Sequence, residues 1–548
     1  MMKSRTLLYF YLLAVLSNHL CAAACAPATS FTYCTTKDKQ PYFDRIGEVY
    51  PKFYWAGTQL TVIDTTLYLY DNKTSAGVSY RAYGYPMSQC DNSSENYYGD
   101  LGTKSAYGLH YIKANPGEFQ LMIFHRELSD TVSPEGQMDP PVIICQGFDP
   151  SYGMSGEFTF EGFIQKLGTN FIGKIIDSGH SVVLMKYEWV NDSIENNANA
   201  ALKAFQWIQS QSTGNDLILV GPSMGGLIFR KALLRAAQIN QDAGNNDAAG
   251  FHVRTFVAYD SPNWGAVIPM TLQAVARYLK KQSSDVKQLL ANLTSPGASQ
   301  MLLYQVPART ARSNTLIMRG YFWDPLYLGI PHTKSSKFLR ELNSESNWNL
   351  LRTLTSQNGT PIRLYAVTDG SPSTDQGLPS DTKIASADYW TLYYRLWTGT
   401  PGQKEHIATL DALNAYSWKL YFQEPVFTEN LPGSIRDSYQ GTRNSLKKKG
   451  YGGTWNSDFL DVYDLDSNLS TLRGHAFIPT ASAAGIRVPN YAAFNKASTW
   501  NLGNGITTLD STQSWFDQVY INPYNQEHIA SDSASPAKTT LATLLLGE

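Results

Sequence analysis

Leu217-Ile218-Leu219-Val220-Gly221-Pro222-Ser223-Met224-Gly225-Gly226-Leu227-Ile228-Phe229-Arg230-Lys231-Ala232-Leu233-Leu234 is the stretch that decides the fold. Its first four residues are apolar without alternation, as in a strand buried on both faces. Its last eight carry apolar residues at helical spacing around Arg230 and Lys231. Between them lies Gly-Pro-Ser-Met-Gly, a turn tight enough to need residues without side chains. A strand handed to a helix through such a turn lifts the serine hydroxyl above the sheet edge. The helix N-terminus then points free N–H groups and a positive dipole end at any charge developing there. The five-residue pattern alone arises by chance in a chain of 548 residues about a quarter of the time. The strand before it and the helix after it are what single out Ser223 as a nucleophile.

Outward from this elbow, short apolar strands are expected at 142–145, 182–187, 217–221 and 255–259, alternating with helices near 158–178, 195–211 and 224–239. That rhythm predicts an α/β fold whose mostly parallel sheet is covered on both faces. Residues from about 40 to 135 are β-favouring: Leu60 to Tyr70 closes on Asp71-Asn72, and Phe119 to Phe124 forms another run. Stretches 263–360 and 371–515 are aromatic, rich in Gly, Pro, Asn and Ser, and keep neither period, so they read as insertions on the core. The expected organisation is a leader at 1–24, a β-rich N-terminal region at 25–138 and an α/β domain at 139–548 carrying both insertions.

A serine nucleophile needs two N–H donors for the oxyanion it creates. One is the residue after the serine, Met224; the other comes from the loop leaving an earlier strand. Val142 to Cys145 is such a strand, and its exit, Gln146-Gly147-Phe148-Asp149-Pro150, puts a glycine where backbone must come close. The second donor is assigned to Phe148.

The elbow, the QGFDP loop, Asp260-Ser261-Pro262-Asn263-Trp264-Gly265-Ala266, Phe477-Ile478-Pro479-Thr480 and Asn525-Gln526-Glu527-His528 together resemble exported bacterial α/β-hydrolases, especially those of the Bacteroidetes kind. These are distantly similar to lipases and to GPI-inositol-deacylase-like proteins. The resemblance covers roughly 140–270 and patches of the C-terminal part. It implies the α/β-hydrolase fold and nucleophile chemistry more firmly than a substrate.

In that fold the triad runs Ser, acid, His along the chain. Downstream histidines are His252, His332, His406, His475 and His528. His528 lies in a turn-rich stretch just before an apolar helical run, Ala537 to Leu546, and is the expected base, with His475 as the alternative. For the acid, Asp369 follows the strand-like Ile362 to Val367 and Asp260 follows Phe256 to Tyr259. Asp369 is preferred, Asp260 is the alternative, and Asp464 and Asp466 stand behind them. With Asn468, these last two resemble a calcium loop, but Leu469 stands where the loop glycine belongs. No cofactor and no metal is expected.

Composition narrows the partners. Apolar residues make up 43 % and charged ones 16 %, which suits a folded globular chain. A net charge of −2 offers no basic face for a phosphate backbone, so nucleic acid is not an expected partner. Lys3 and Arg5, the apolar run Leu7 to Leu16 and Ala22-Ala23-Ala24 read as an export signal cleaved near Cys25, too short to span a bilayer. Secretion is therefore expected, without a stable membrane span. In an oxidising compartment Cys34 and Cys90 are the expected bridge, and Cys145 a packed core thiol. Met301 to Tyr304, Tyr321 to Trp323 and Leu326 to Leu328 supply apolar surface for a cap over the serine. The expected substrate is a small-molecule or lipid ester, cleaved by a lipase- or carboxylesterase-like serine hydrolase. Acyl transfer and polysaccharide deacylation would use the same machinery. A catalytically inactive binding or adhesion module on a hydrolase scaffold is the reading from a different class.

Overall fold

Val142, Ile143, Ile144 and Cys145 are all wholly buried. Successive side chains of a strand point to opposite faces, so unbroken burial means that layers cover the sheet on both sides. The computed structural model describes chiefly residues 139–153, 160–168, 189–212, 215–268, 284–305, 333–372, 433–436, 475–487, 512–529 and 535–546, with the strands named below.

The elements that build the main sheet and its surroundings are, along the chain, β1 (Tyr68–Ser75), β2 (Val78–Gly84), β3 (Tyr107–Ala114), β4 (Phe119–Arg126), β5 (Pro141–Cys145), α1 (Phe160–Leu167), β6 (Ser181–Tyr187), α2 (Ile194–Gln211), β7 (Leu217–Pro222), α3 (Met224–Ala243) and β8 (Val253–Tyr259). There follow α4 (Ser284–Leu293), α5 (Pro296–Met301), α6 (Thr333–Leu342), α7 (Glu345–Leu351), β9 (Arg363–Val367), β10 (Gly433–Arg436), β11 (His475–Pro479), β12 (Gly505–Thr507), β13 (Gln518–Ile521) and α8 (Pro536–Leu546). An 11-stranded sheet runs in the order β12-β13-β9-β8-β7-β5-β6-β4-β3-β2-β1. From β6 to β13 its neighbours are parallel. β4 joins β6 antiparallel, and β3, β2 and β1 continue as a meander. The strands β1 to β4 thus extend the sheet of the α/β domain.

From β3 to β13 the strands follow chain order across the sheet except that β5 and β6 are exchanged. The chain leaves β5 for β6 on one side, then returns past it to β7 on the other. The gap between the carboxyl ends of β5 and β7 is therefore a switch point, where open α/β sheets make their binding crevice. With the serine-bearing turn on β7, this is the α/β-hydrolase fold.

The helices follow local signals. Ser193 caps α2 by accepting from the Asn196 N–H at 3.1 Å, and Ser535 precedes Pro536 and accepts from the Lys538 N–H at 3.3 Å. The helix expected over 158–178 is shorter, because Gly168 takes φ 85° and α1 stops at Leu167. α2 lies on α3 through Phe205, which meets Phe229 edge-on at 4.9 Å and Phe251 at 5.4 Å.

The stretch between β8 and β9 carries more core than an irregular insertion would. Leu339, Trp348 and Leu351 are buried in the same apolar cluster as the sheet and α3. Trp348 stacks on Trp515 at 5.6 Å, and the Arg230 guanidinium lies 4.7 Å from its ring centre. Trp348→Ala is expected to cost about 3–5 kcal/mol, the range for an emptied buried tryptophan site. Urea unfolding monitored by far-UV circular dichroism measures it, and a midpoint shift under a tenth of the parent value would place α7 outside the core.

Cys145 is buried with its thiol unbridged, 4.0 Å from the Val220 carbonyl, and burial pushes its pKa far up. Cys25, Cys34, Cys90, the leader, Tyr321 to Trp323, Leu326 to Leu328, Asp464 and Asp466 lie outside the described residues. Among those described, no helix is long and apolar enough to cross a membrane.

Candidate active site

Ser223 stands between β7 and α3 with φ 54° and ψ −133°. Only a well-anchored turn holds an L-residue there. The Ser223 N–H donates to the Tyr259 carbonyl at 2.9 Å, extending the β7–β8 ladder one residue past the strand, and the Ser223 carbonyl accepts from the Gly226 N–H at 3.1 Å. A Cβ on Gly221 would collide with the backbone of Gly226, and one on Gly226 with the Ser261 side chain. Ser223 also occupies the N-cap position of α3, where a serine ordinarily turns its hydroxyl back onto the helix; here it makes no such bond. The hydroxyl is thus free for another task.

Gly147 faces it across the switch point. A Cβ on Gly147 would lie 2.9 Å from Ser223 Cβ and 3.4 Å from its Oγ. The next residue, Phe148, makes no backbone hydrogen bond through its N–H among the described residues. Met224 opens α3, so its N–H has no intrahelical acceptor either. The loop bearing Phe148 is pinned from behind. Asn191 donates to the Asp149 carbonyl at 2.8 Å and accepts from the Asp149 N–H at 3.4 Å. Asn292 holds the carbonyls of Pro150 and Tyr152, each at 2.9 Å. If Ser223 is the nucleophile its turn suggests, Gly147→Ala is expected to lower kcat/KM about 10- to 100-fold by displacing it from its setting. Ester hydrolysis at constant melting temperature checks this, and parental activity would separate the loop from the chemistry.

His528 is buried, and its Nδ1 meets Asp260 Oδ2 at 2.6 Å. The acid preferred from sequence, Asp369, does not contact the imidazole in this way; the partner is the alternative, Asp260. The reason is local. Asp260 takes φ 41° as it leaves β8, its N–H donating to the Val367 carbonyl at 2.6 Å, and this turns its carboxylate toward the turn after β13. Asp369, just past β9, receives the Ile529 N–H on Oδ2 at 2.8 Å, and the Tyr259 hydroxyl on Oδ1 at 3.2 Å together with the Gln526 side-chain amide. Both of its oxygens are engaged there. The other oxygen of Asp260 accepts the Asp369 N–H at 3.1 Å.

Burial pushes Asp260 up to about 7, against the pull of the Ser434 hydroxyl, the Asp369 N–H and Arg436. Burial holds His528 well below its ordinary value, with the charges of Arg436 and Lys166 adding to the effect. Both shifts favour a neutral imidazole, the form that can take a proton. Its Nε2 is buried and has no partner among the described residues. Phe477 packs edge-on against the ring at 5.0 Å, and Ser434 Oγ lies 3.4 Å from Nδ1.

Asp260, Asp369 and His528 each present a ligand atom within 4.8 Å of the others. Within the trio, one Asp260 oxygen meets His528 Nδ1 and the other accepts the Asp369 N–H, while Asp369 Oδ2 accepts the Ile529 N–H. His475 opens β11, paired with Arg436 of β10. Nothing in the residues around Ser434 or Asn191 points to either of them. Gln526 lies in the run Asn525-Gln526-Glu527-His528, where nothing local assigns it a role.

No protein-family model and no curated protein sequence matches the chain. Among solved structures, the mature form of Bacillus licheniformis lipase BlEst2 is 13 % identical with a TM-score of 0.25, covering 46 % of this chain and 73 % of its own. Est1E from Butyrivibrio proteoclasticus is 15 % identical with a TM-score of 0.19, covering 31 % and 55 %. A thermostable carboxyl esterase from Bacillus coagulans is 12 % identical with a TM-score of 0.22, covering 48 % and 80 %. TM-scores this low carry no weight for substrate or mechanism, and the fold assignment stands on the strand order.

Proposed function

We propose that the protein is a serine hydrolase that cleaves carboxylic esters through an acyl-enzyme on Ser223. The observation that carries this reading is the buried His528–Asp260 hydrogen bond at the same sheet edge as an elbow serine whose hydroxyl is not spent on capping its helix. His528 Nε2 takes the Ser223 proton as Oγ attacks the ester carbonyl. The N–H groups of Met224 and Phe148 hold the oxyanion. The protonated imidazole then gives its proton to the leaving alcohol, and water, activated by the same histidine, releases the acid. Asp260 holds the imidazole with Nε2 free and stabilises its cation.

Acyl transfer to a second alcohol and deacylation of a polysaccharide would share the first half of this cycle. Secretion behind a leader at 1–24 belongs to the same proposal, as does an ester small enough, or greasy enough, to enter the switch-point crevice. The test is a panel of p-nitrophenyl esters graded in acyl length, with mass spectrometry of the fluorophosphonate-treated protein. Ester turnover with the adduct on the Ser223 peptide is the expected result. A chain that neither turns over an ester nor takes the probe would be the inactive binding module instead.

A further inference from the structure

Asp369 forms more hydrogen bonds to the His528 turn than a strand-end carboxylate needs for its own satisfaction. Its carbonyl accepts the Gln526 N–H at 3.0 Å, its Oδ2 accepts the Ile529 N–H at 2.8 Å, and its Oδ1 accepts the Gln526 side-chain amide and the Tyr259 hydroxyl. These contacts bracket His528 on both sides in sequence. Ile529 is held at φ 51°, a conformation that a β-branched residue avoids, and its N–H is the one bound by Oδ2. The Asp369 N–H meanwhile fixes the oxygen of Asp260 that His528 does not use.

We infer that Asp369 is a positioning residue, clamping residues 526–529 so that the imidazole of His528 and the carboxylate of Asp260 are set before substrate arrives. The inference rests on the reading of Ser223 as nucleophile and His528 as base. The carboxyl need not be charged for this work. Burial and the neighbouring Asp260 push its pKa well up, and a neutral carboxyl still accepts the Ile529 N–H while turning its own O–H to the Tyr259 oxygen. Asparagine can reproduce that pattern: its oxygen takes the Ile529 N–H, and its amide nitrogen faces the Tyr259 oxygen and a Gln526 amide turned end for end.

The experiment follows the rate of fluorophosphonate inactivation, and kcat and KM on p-nitrophenyl butyrate, normalised to sites labelled in the folded protein. Asp369→Ala should lower kcat about 100-fold, the effect of misplacing a catalytic group by an ångström, with KM within about threefold. Asp369→Asn should recover kcat to within about tenfold of the parent. Ile529→Gly placed on Asp369→Ala should raise kcat about tenfold, because glycine holds a positive φ without the clamp. Gln526→Ala, which loosens the same clamp from the other side, carries the test if Asp369→Ala does not fold, with a kcat loss of about tenfold.

Asp369→Asn falling about 10⁴-fold would make Asp369 the triad acid and overturn the inference. Parental kcat in Asp369→Ala or in Gln526→Ala, with only a lower melting temperature, would reduce the clamp to a structural part. Failure of the parent protein to label at Ser223 marks failure of the hydrolase reading instead.

Discussion

Alanine at position 223 leaves the protein folded and nearly without turnover: kcat falls roughly 10⁶-fold, and fluorophosphonate no longer labels the chain. The size of the loss follows from the division of labour at the site. On the proposed mechanism no acyl-enzyme forms without Oγ, and His528 has no proton to take. What survives is the modest acceleration that oxyanion donors and binding give to attack by water. The fold should not suffer. Ser223 makes no side-chain bond to the helix it opens, so alanine removes no cap, and both residues carry a Cβ, so the strain at φ 54° is unchanged. Melting temperature and far-UV circular dichroism beside the rate separate chemistry from folding. Labelling of Ser223→Ala at the parental rate would move the nucleophile elsewhere.

The parts of the fold that were legible are those in which a contiguous run settles the matter. Leu217 to Leu234 holds a strand, a turn and a helix in one stretch, and β7, Ser223 and α3 fall where that pattern puts them. Strands β5, β6 and β8 lie within two residues of their expected bounds, because buried parallel strands leave an unbroken apolar signal. The region between β8 and β9 was harder. Its helices are short, with polar residues on their outer faces, and Trp348 enters the core by stacking on Trp515 of a segment far along the chain. No local period encodes such a partner.

The site divides in the same way. Gly147 and Phe148 follow from a strand exit, and His528 from its place before α8. The carboxylate beside the imidazole does not. Asp260 and Asp369 both stand one or two residues past neighbouring parallel strands, and either could face the turn after β13. What chooses between them is the backbone of Asp260 at φ 41° and the two N–H groups that claim Asp369, from Gln526 and Ile529. A dihedral angle and contacts spanning more than 150 residues leave no mark on the residues beside either aspartate.

That choice predicts a second large effect. Asp260→Asn should lower kcat about 10⁴-fold while KM changes little, because the carboxylate acts mostly after the substrate is bound. An asparagine side chain can offer its amide to Nδ1, which then must accept, and the proton moves to Nε2, the atom that has to be empty to take the Ser223 proton. The carboxylate's second role is lost as well, since a neutral amide cannot stabilise the imidazolium that forms as Oγ attacks. The backbone should hold: the Asp369 N–H can still find the asparagine oxygen, and replacing a buried carboxylate already pushed up to about 7 relieves desolvation instead of adding to it. The expected signature is an intact melting curve, slow fluorophosphonate labelling at an unchanged Ser223, and a rate that does not recover at any pH where the protein is folded. Parental turnover in Asp260→Asn would mean that the 2.6 Å contact with His528 holds the turn in place and that the imidazole draws its orientation from another group.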